Sequence, residues 1–401
     1  MRPFEHRAIP LTLVAVLIDS IGFGIVIPVL PELVTSLGHV GLAEATRLAG
    51  WMLVVFAIGQ FFAGPVVGQL GDRFGRRPVL IGAMSAFAVD YLLMGAAPTL
   101  AWLFLGRAIA GVAGAVYGPA AAVVADVTEP ERRSAAFGLV GAAFGVGFIL
   151  GPALGGIAAG FGPRAPFLLA AALAAANAVL MAVFLPETLP TDRRRPFRLR
   201  DAHVFGSFRP LFETGGALPL LAAWLCWQLA GVVYPATWSF WAALRFGWDA
   251  RAIGWSLAFV GAMTVLVQLG LTGRIVGRLG ERNAAVLGLA SAAAAMFAYA
   301  FLADQGWQVY AFFVVGSLGA LAYPALNGLV SKRVDATRQG ALQGGLSSLN
   351  SVAAIAGPLI ASQALAAGAG RGFDGAAFVL AGVLMTAATA IISTLKAPKQ
   401  A

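Results

Sequence analysis

The chain has 401 residues, 59% of them hydrophobic and only 11% charged, with a mean hydropathy of +0.83. Soluble domains carry about 25% charged residues, so a water-soluble core is excluded and an integral membrane protein is implied. The net charge of +9 would suit nucleic acid, but the basic residues lie in short loops between apolar runs, where anionic lipid headgroups are the counter-surface.

A spanning helix needs about 20 apolar residues, and twelve candidate spans follow one another. The first is Pro10–Val34. Met1–Ile9 before it is too short for a signal peptide with its own cleavage site, so this span is expected to remain as a signal anchor. Leu48–Leu70 and Val79–Ala97 flank the hairpin GQLGDRFGRRPVL, Gly68–Leu80. There Gly68, Gly71 and Gly75 allow close approach and a tight turn, and Pro78 resets the helix. Asp72 stands among Arg73, Arg76 and Arg77, a charge set suited to pinning two spans together at a membrane face. Leu100–Ala125, Ala135–Gly160 and Pro166–Leu185 complete the first six.

The longest loop, Pro186–Gly216, contains DRRRPFRLRD (Asp192–Asp201) and reads as a cytoplasmic linker, partly amphipathic along the membrane surface. Ala217–Leu244, Ile253–Val276, Ala284–Ala303, Trp307–Ser331, Gly340–Ala367 and Ala376–Leu395 form the second six. The expected organisation is therefore a six-helix bundle at 1–185, a linker at 186–216 and a second bundle at 217–401. Of the 27 Lys and Arg, 21 fall on one side of this topology and 5 on the other, with Arg107 inside a span. The positive-inside rule then places both termini in the cytoplasm.

The halves echo one another. Gly68-x3-Asp72-x2-Gly75-Arg76-Arg77 has a degraded copy at Gly273-x3-Gly277-x2-Gly280-Glu281-Arg282. Arg133 and Arg338 are 205 apart (338 − 133), and GPALGG at Gly151 echoes GPLIAS at Gly357 at 206 (357 − 151). Parallel repeats around a central cavity characterise one large class of secondary transporter.

Ionisable residues in mid-membrane are expensive and need a reason. Asp19, Asp90 and Arg107 are the three that stand out. At 1.5 Å per residue the two acids lie at similar depths, and Arg107 can approach them from the other face. Burial disfavours a carboxylate and a guanidinium favours it. A carboxyl between those influences can exchange a proton, so Asp19 and Asp90 are expected to carry the proton and Arg107 to tune them. Asp72 is expected to cap the N-terminus of a neighbouring helix from the other bundle, and Asp126 to reach Arg73 or Arg76, forming a cytoplasmic gate. Gly147, Gly151, Gly155 and Gly156 give a smooth helix face, bent at Pro152. Gln60, Gln228, Tyr234, Trp238, Gln268, Asn327 and Asn350 are candidate lining for an apolar, aromatic cargo cavity, with Trp241 assigned to an interfacial belt. Neither a P-loop pattern nor a nucleophile–base pair is present, and His6, His39 and His203 lie in or near aqueous segments. No enzyme activity, cofactor, metal site or nucleic-acid partner is expected. Cys226 is the single cysteine, so no internal disulfide can form.

Taken together, GQLGDRFGRRPVL, GRAIAGVAGA from Gly106 and GPALGG resemble the signature loop, helix-four arginine motif and helix-five antiporter motif of the major facilitator superfamily. IDSIGFGIVIPVLPELV from Ile18, VDYLLMGAAP from Val89 and RQGALQGGLSSL from Arg338 resemble bacterial tetracycline/proton antiporters. The resemblance implies an all-α fold of two six-helix bundles and a monomeric, proton-coupled exporter of an amphipathic drug such as tetracycline in the bacterial inner membrane. A metabolite or siderophore transporter is the alternative. It also assigns Asp19 and Asp90 to transport, and Asp72, Arg73 and Asp126 to the charged gate. Those antiporters carry an acid in helix nine and a histidine in helix eight. LGLASAAAAMFAYAF and LAFVGAMTVLVQLGL hold neither, which weakens the case for a metal-chelated cargo.

Overall fold

The computed structural model describes residues 6–114, 117–129, 132–197, 218–332 and 339–395. The amphipathic part of the linker beyond residue 197, and Arg338, lie outside the described residues. Among the described residues all regular structure is helical, as a lipid environment demands: with no water to bond, backbone N–H and C=O groups must be satisfied within the segment.

Before the linker come α1 (Ala8–Val26), α2 (Leu30–Gly38), α3 (Leu42–Phe74), α4 (Arg76–Ala96), α5 (Leu100–Ala113), α6 (Tyr117–Asp126), α7 (Arg133–Ala159) and α8 (Ala165–Phe184). After it come α9 (Leu218–Phe246), α10 (Ala250–Leu266), α11 (Thr272–Phe301), α12 (Gln308–Ser317), α13 (Ala322–Ser331), α14 (Gln339–Ala369) and α15 (Ala376–Thr394). Eleven stretches among the described residues are long and apolar enough to cross a membrane. This differs from the expected twelve because Ile253–Val276 and Ala284–Ala303 fall in one 52-residue stretch, Ala250–Phe301. The helical trace runs through a π turn at Val267–Leu271 and past Gly280, whose φ of 74° and ψ of 163° are not helical.

The helices bury one face and turn another, equally apolar, face outward. α8 buries Phe167, Ala170, Ala174, Asn177 and Met181, while Leu168, Val179 and Val183 are exposed. Acyl chains solvate such a face as well as a protein core would. The buried amide of Asn177 donates to Ala15 O at 2.9 Å and to Met84 Sδ at 3.2 Å, holding α8 to α1 and α4.

The chain forms two compact units. One comprises Met1–Val40, Val55–Val204 and Asp249–Ala258; the other comprises Gly41–Val54, Phe205–Trp248 and Phe259–Ala401. In the first, α1 packs on α7 and α8, and α4 packs on α8. In the second, α9 packs on α14 and α15, and α11 packs on α15. These are the pairings that the sequence repeat maps onto one another. Gly75 and Gly280, 205 apart (280 − 75), both take positive φ, 105° and 74°. The arginine two residues on bonds the carbonyl end of the last helix of its repeat: Arg77 to Ala182 O, Arg282 to Ile392 O and Ser393 O. Cations are favoured at such C-terminal ends.

Candidate functional site

In the first unit α1 brings Asp19 to a cavity of about 480 Å³, walled by Phe23, Phe56, Gln60, Phe87 and Phe144. Val16, Asp19, Ser20 and Phe23 all line it, because positions three and four apart share one helix face. The Asp19 carboxylate has no hydrogen bond or ion pair among the described residues. The other polar side chains there are engaged: the Ser20 hydroxyl donates to Val16 O at 2.8 Å, and the Gln60 amide donates to Gly114 O at 2.9 Å.

Asp90, on α4, is fully buried, and Arg107, on α5, is only 6% exposed. The Arg107 guanidinium bonds the Asp90 carboxylate, donates to Met94 Sδ at 3.0 Å and lies 5.9 Å from the Phe56 ring centre, at the cavity wall. Arg107 thus serves one acid, Asp90, and Asp19 stands alone; depth had put both within its reach. A Cβ at Gly106 would come 2.5 Å from Asp90 Oδ1, so the Gly106–Arg107 pair first makes room for the carboxylate and then neutralises it. Gly106→Ala is expected to push Asp90 out of register with Arg107 and to destabilise the protein by about 1–3 kcal/mol, as overpacking does. Thermal unfolding in detergent checks this, and an unchanged midpoint would refute it. Tyr91, stacked on Phe87 at 6.0 Å, lies against Gly22 of α1 and fills the space beside the pair.

The hairpin residues form a second cluster in the same unit. Arg76 bridges Asp72 at 2.7 Å and Asp126 at 3.3 Å. Thr188 Oγ1 also donates to Asp126, at 3.3 Å. Arg73 is not part of this network: its guanidinium lies over the Phe74 ring at 5.0 Å. The open N-terminus of α4 is capped by Glu187, a residue the sequence reading missed. The Glu187 carboxylate accepts the backbone N–H of Arg76 (2.8 Å) and Arg77 (3.3 Å), and also those of Thr188 and Leu189 at 3.0 Å. Gly75 is needed here twice over, for its φ of 105° and because a Cβ would collide with the Glu187 carboxylate. Gly68 has open space around it. Glu187→Ala is expected to lower stability by about 1–2 kcal/mol, the usual effect of losing an N-cap. Thermal unfolding of the variant checks it, and an unchanged midpoint would remove the capping role.

On α7 the glycine face meets α1 directly. A Cβ at Gly147 would lie 2.6 Å from Leu17 O, one at Gly151 would lie 2.6 Å from Ile21 O, and one at Gly155 would collide with Ile25 O. Gly24 of α1 returns the contact, facing Pro152 Cδ at 2.7 Å. Gly156 looks the other way, to Ala250 and Arg251. Backbones this close exclude any side chain, which is how α1 is held with its Asp19 face toward the cavity.

The remaining candidates belong to the second unit. Trp238 is fully buried and ringed by Tyr234 (4.9 Å), Phe313 (4.9 Å), Trp241 (5.2 Å) and Tyr299 (5.5 Å), so its ring is part of an aromatic core. Trp241 is also fully buried, 4.8 Å from Phe378; the belt assignment is corrected, because aromatic packing outcompetes the interface for this ring. Tyr234 Oη is buried without a hydrogen-bond partner. Asn350 accepts from Trp224 Nε1 at 2.8 Å, and Asn327 accepts from Ser331 at 3.3 Å. Gln228 is half-buried, and Gln268 is exposed on the π turn.

Comparison with known proteins gives a consistent picture. The sequence model of the Major Facilitator Superfamily matches residues 12–358. The class C tetracycline resistance protein of Escherichia coli is 37% identical over 380 residues, covering 95% of each chain. The class G protein of Vibrio anguillarum is 38% identical over 351 residues, covering 87% of this chain and 88% of that one. Among solved structures, the nucleoside transporter NupG aligns with a TM-score of 0.78 at 14% identity, covering 97% of this chain and all (100%) of that one. At that identity the likeness is one of fold.

Proposed function

The chain belongs to the Major Facilitator Superfamily, and from that premise we propose a proton-coupled antiporter that exports an amphipathic drug across the bacterial inner membrane by alternating access. It is a transporter, as its family is, and not an enzyme. The observation that carries the reading is the lone Asp19 carboxylate facing a cavity from a spanning helix. On insertion scales such an acid costs about 2.5–3.5 kcal/mol, and no counter-charge among the described residues offsets it. One proton discharges it, which is what coupling requires. Tetracycline, named in the relatives, is the first cargo to test.

In this reading Asp19, Asp90 and Arg107 couple the proton. Gly68, Asp72, Arg73, Gly75, Arg76 and Asp126 form the cytoplasmic gate, and the α7 glycines with Pro152 are the face on which helices move. Gln60 is joined as cargo contact by Gln228, Tyr234, Trp238, Gln268, Asn327 and Asn350 in other conformations. Ala250–Phe301 crosses the membrane twice, turning at Gly280, for twelve crossings in bundles at 1–185 and 217–401 with both termini cytoplasmic. The protein works as a monomer. Everted membrane vesicles test the proposal: added drug should release protons from an acidified lumen, and a protonophore should stop drug uptake. Uptake that ignores the protonophore would refute proton coupling.

A further inference from the structure

We propose that Tyr91 is a positioning residue for the proton on Asp19: its hydroxyl donates to the Asp19 carboxylate across the α1–α4 contact while that carboxylate is ionised, and lets go when a proton arrives. The proposal rests on the antiporter reading and adds the group that sets when the coupling acid gives up its proton.

Tyr91 lies on α4 and is only 2% exposed. Its ring is stacked at 6.0 Å on Phe87, which walls the Asp19 cavity. The far edge of the ring reaches α1. A Cβ at Gly22 would lie 3.3 Å from Tyr91 Oη and 3.3 Å from Tyr91 Cε2. Gly22 follows Asp19 by three residues, and positions three apart share a helix face. The hydroxyl therefore meets α1 one turn from the carboxylate. It lies within electrostatic reach of Asp19, Asp90 and Arg107 together. Among the described residues no hydrogen bond occupies it.

The other groups near Asp19 are spent or distant. An ionised carboxylate in a spanning helix needs a donor or a counter-charge. The Ser20 hydroxyl and the Gln60 amide are used on Val16 O and Gly114 O. Arg107 is used on Asp90 and Met94. α1 carries no charged residue besides Asp19, and α8 carries none. α7 carries only Arg133, at its first position. α6 ends at Asp126, which Arg76 holds. On α3, Glu44 pairs with Arg47, and Asp72 and Arg73 belong to the hairpin. On α4, Arg77 bonds Ala182 O. The Tyr91 hydroxyl is left as a donor beside Asp19. A phenol donates without bringing a charge. It can favour the ionised carboxylate, as a hydrogen bond to the charged form does, without locking it in an ion pair. Tyr91 also follows Asp90 directly in the chain, so one displacement of α4 acts on both acids.

The test titrates the full-length protein in lipid nanodiscs by difference infrared spectroscopy. The protonated Asp19 carboxyl gives a C=O band, identified by its loss in Asp19→Asn. Tyr91→Phe removes only the hydroxyl. In that variant the band should persist to about tenfold lower proton concentration, because the carboxylate has lost a donor, while the thermal unfolding midpoint stays that of the parent. Gly22→Ala crowds the hydroxyl and should move the band in the same direction by less, which keeps the proposal falsifiable if Tyr91→Phe fails to fold. Phe87→Leu disturbs the same packing but keeps the hydroxyl, and should leave the band in place. An unmoved band in Tyr91→Phe, or an equal shift in Phe87→Leu, overturns the proposal. If the band is unmoved while drug still drives proton flux in vesicles, Tyr91 is packing alone and the antiporter reading stands. If Asp19→Asn removes no band at any pH, Asp19 takes no proton and both fall.

Discussion

Asp19→Asn is expected to leave a folded, membrane-inserted protein in which drug movement no longer responds to the proton gradient. The substitution is isosteric and removes a charge that has no partner among the described residues. An unpaired carboxylate in a spanning helix is unfavourable, so the variant should unfold at the same temperature as the parent or higher. Transport should behave oppositely. An amide cannot be discharged by a proton, so the state of the cavity no longer changes with pH, and exchange stops. Energised drug export in vesicles, measured beside thermal unfolding, separates the two roles. A variant that is destabilised yet still pumps would make Asp19 a structural residue; one that is stable and inert would make it the coupling group.

How much of this was legible beforehand depended on the range over which a residue acts. The spans were legible because each is a local apolar run, and the hairpin break because Gly75 and its copy Gly280 recur at a fixed offset. Asp19 was conspicuous because an acid is rare in such a run. The aromatic wall was not. Phe144 lines the cavity while Phe62, inside α3, is 54% exposed, and nothing in a lipid-soluble stretch distinguishes a ring facing a cavity from one facing acyl chains. Glu187 was hidden for another reason: it caps a helix whose first residue is 111 positions earlier, a pairing that only tertiary structure creates. Trp241 was assigned to an interfacial belt, yet four aromatic residues, Trp238, Phe246, Tyr299 and Phe378, enclose its ring.

Arg107→Ala should destabilise the protein by about 3–5 kcal/mol, the penalty for stranding one charge of a buried pair. Asp90 has no exposure with which to recruit water, and its Oδ1 already lacks a partner. Asp90→Asn should cost less, because Arg107 keeps Met94 Sδ as an acceptor and the Phe56 face beside it. The double variant Asp90→Leu/Arg107→Met removes both charges, and replacing a buried pair with apolar side chains is often neutral or stabilising. Thermal unfolding across this cycle yields the coupling energy, and a double variant no more stable than Arg107→Ala would contradict a paired charge. Transport in the double variant then decides what the pair is for. Recovery of stability with recovery of drug–proton exchange would make Asp90 and Arg107 a neutral framework that leaves Asp19 as the only charge in the cavity. Recovery of stability without exchange would mean that the proton visits Asp90 as well, and that Arg107 must let go of it during each cycle.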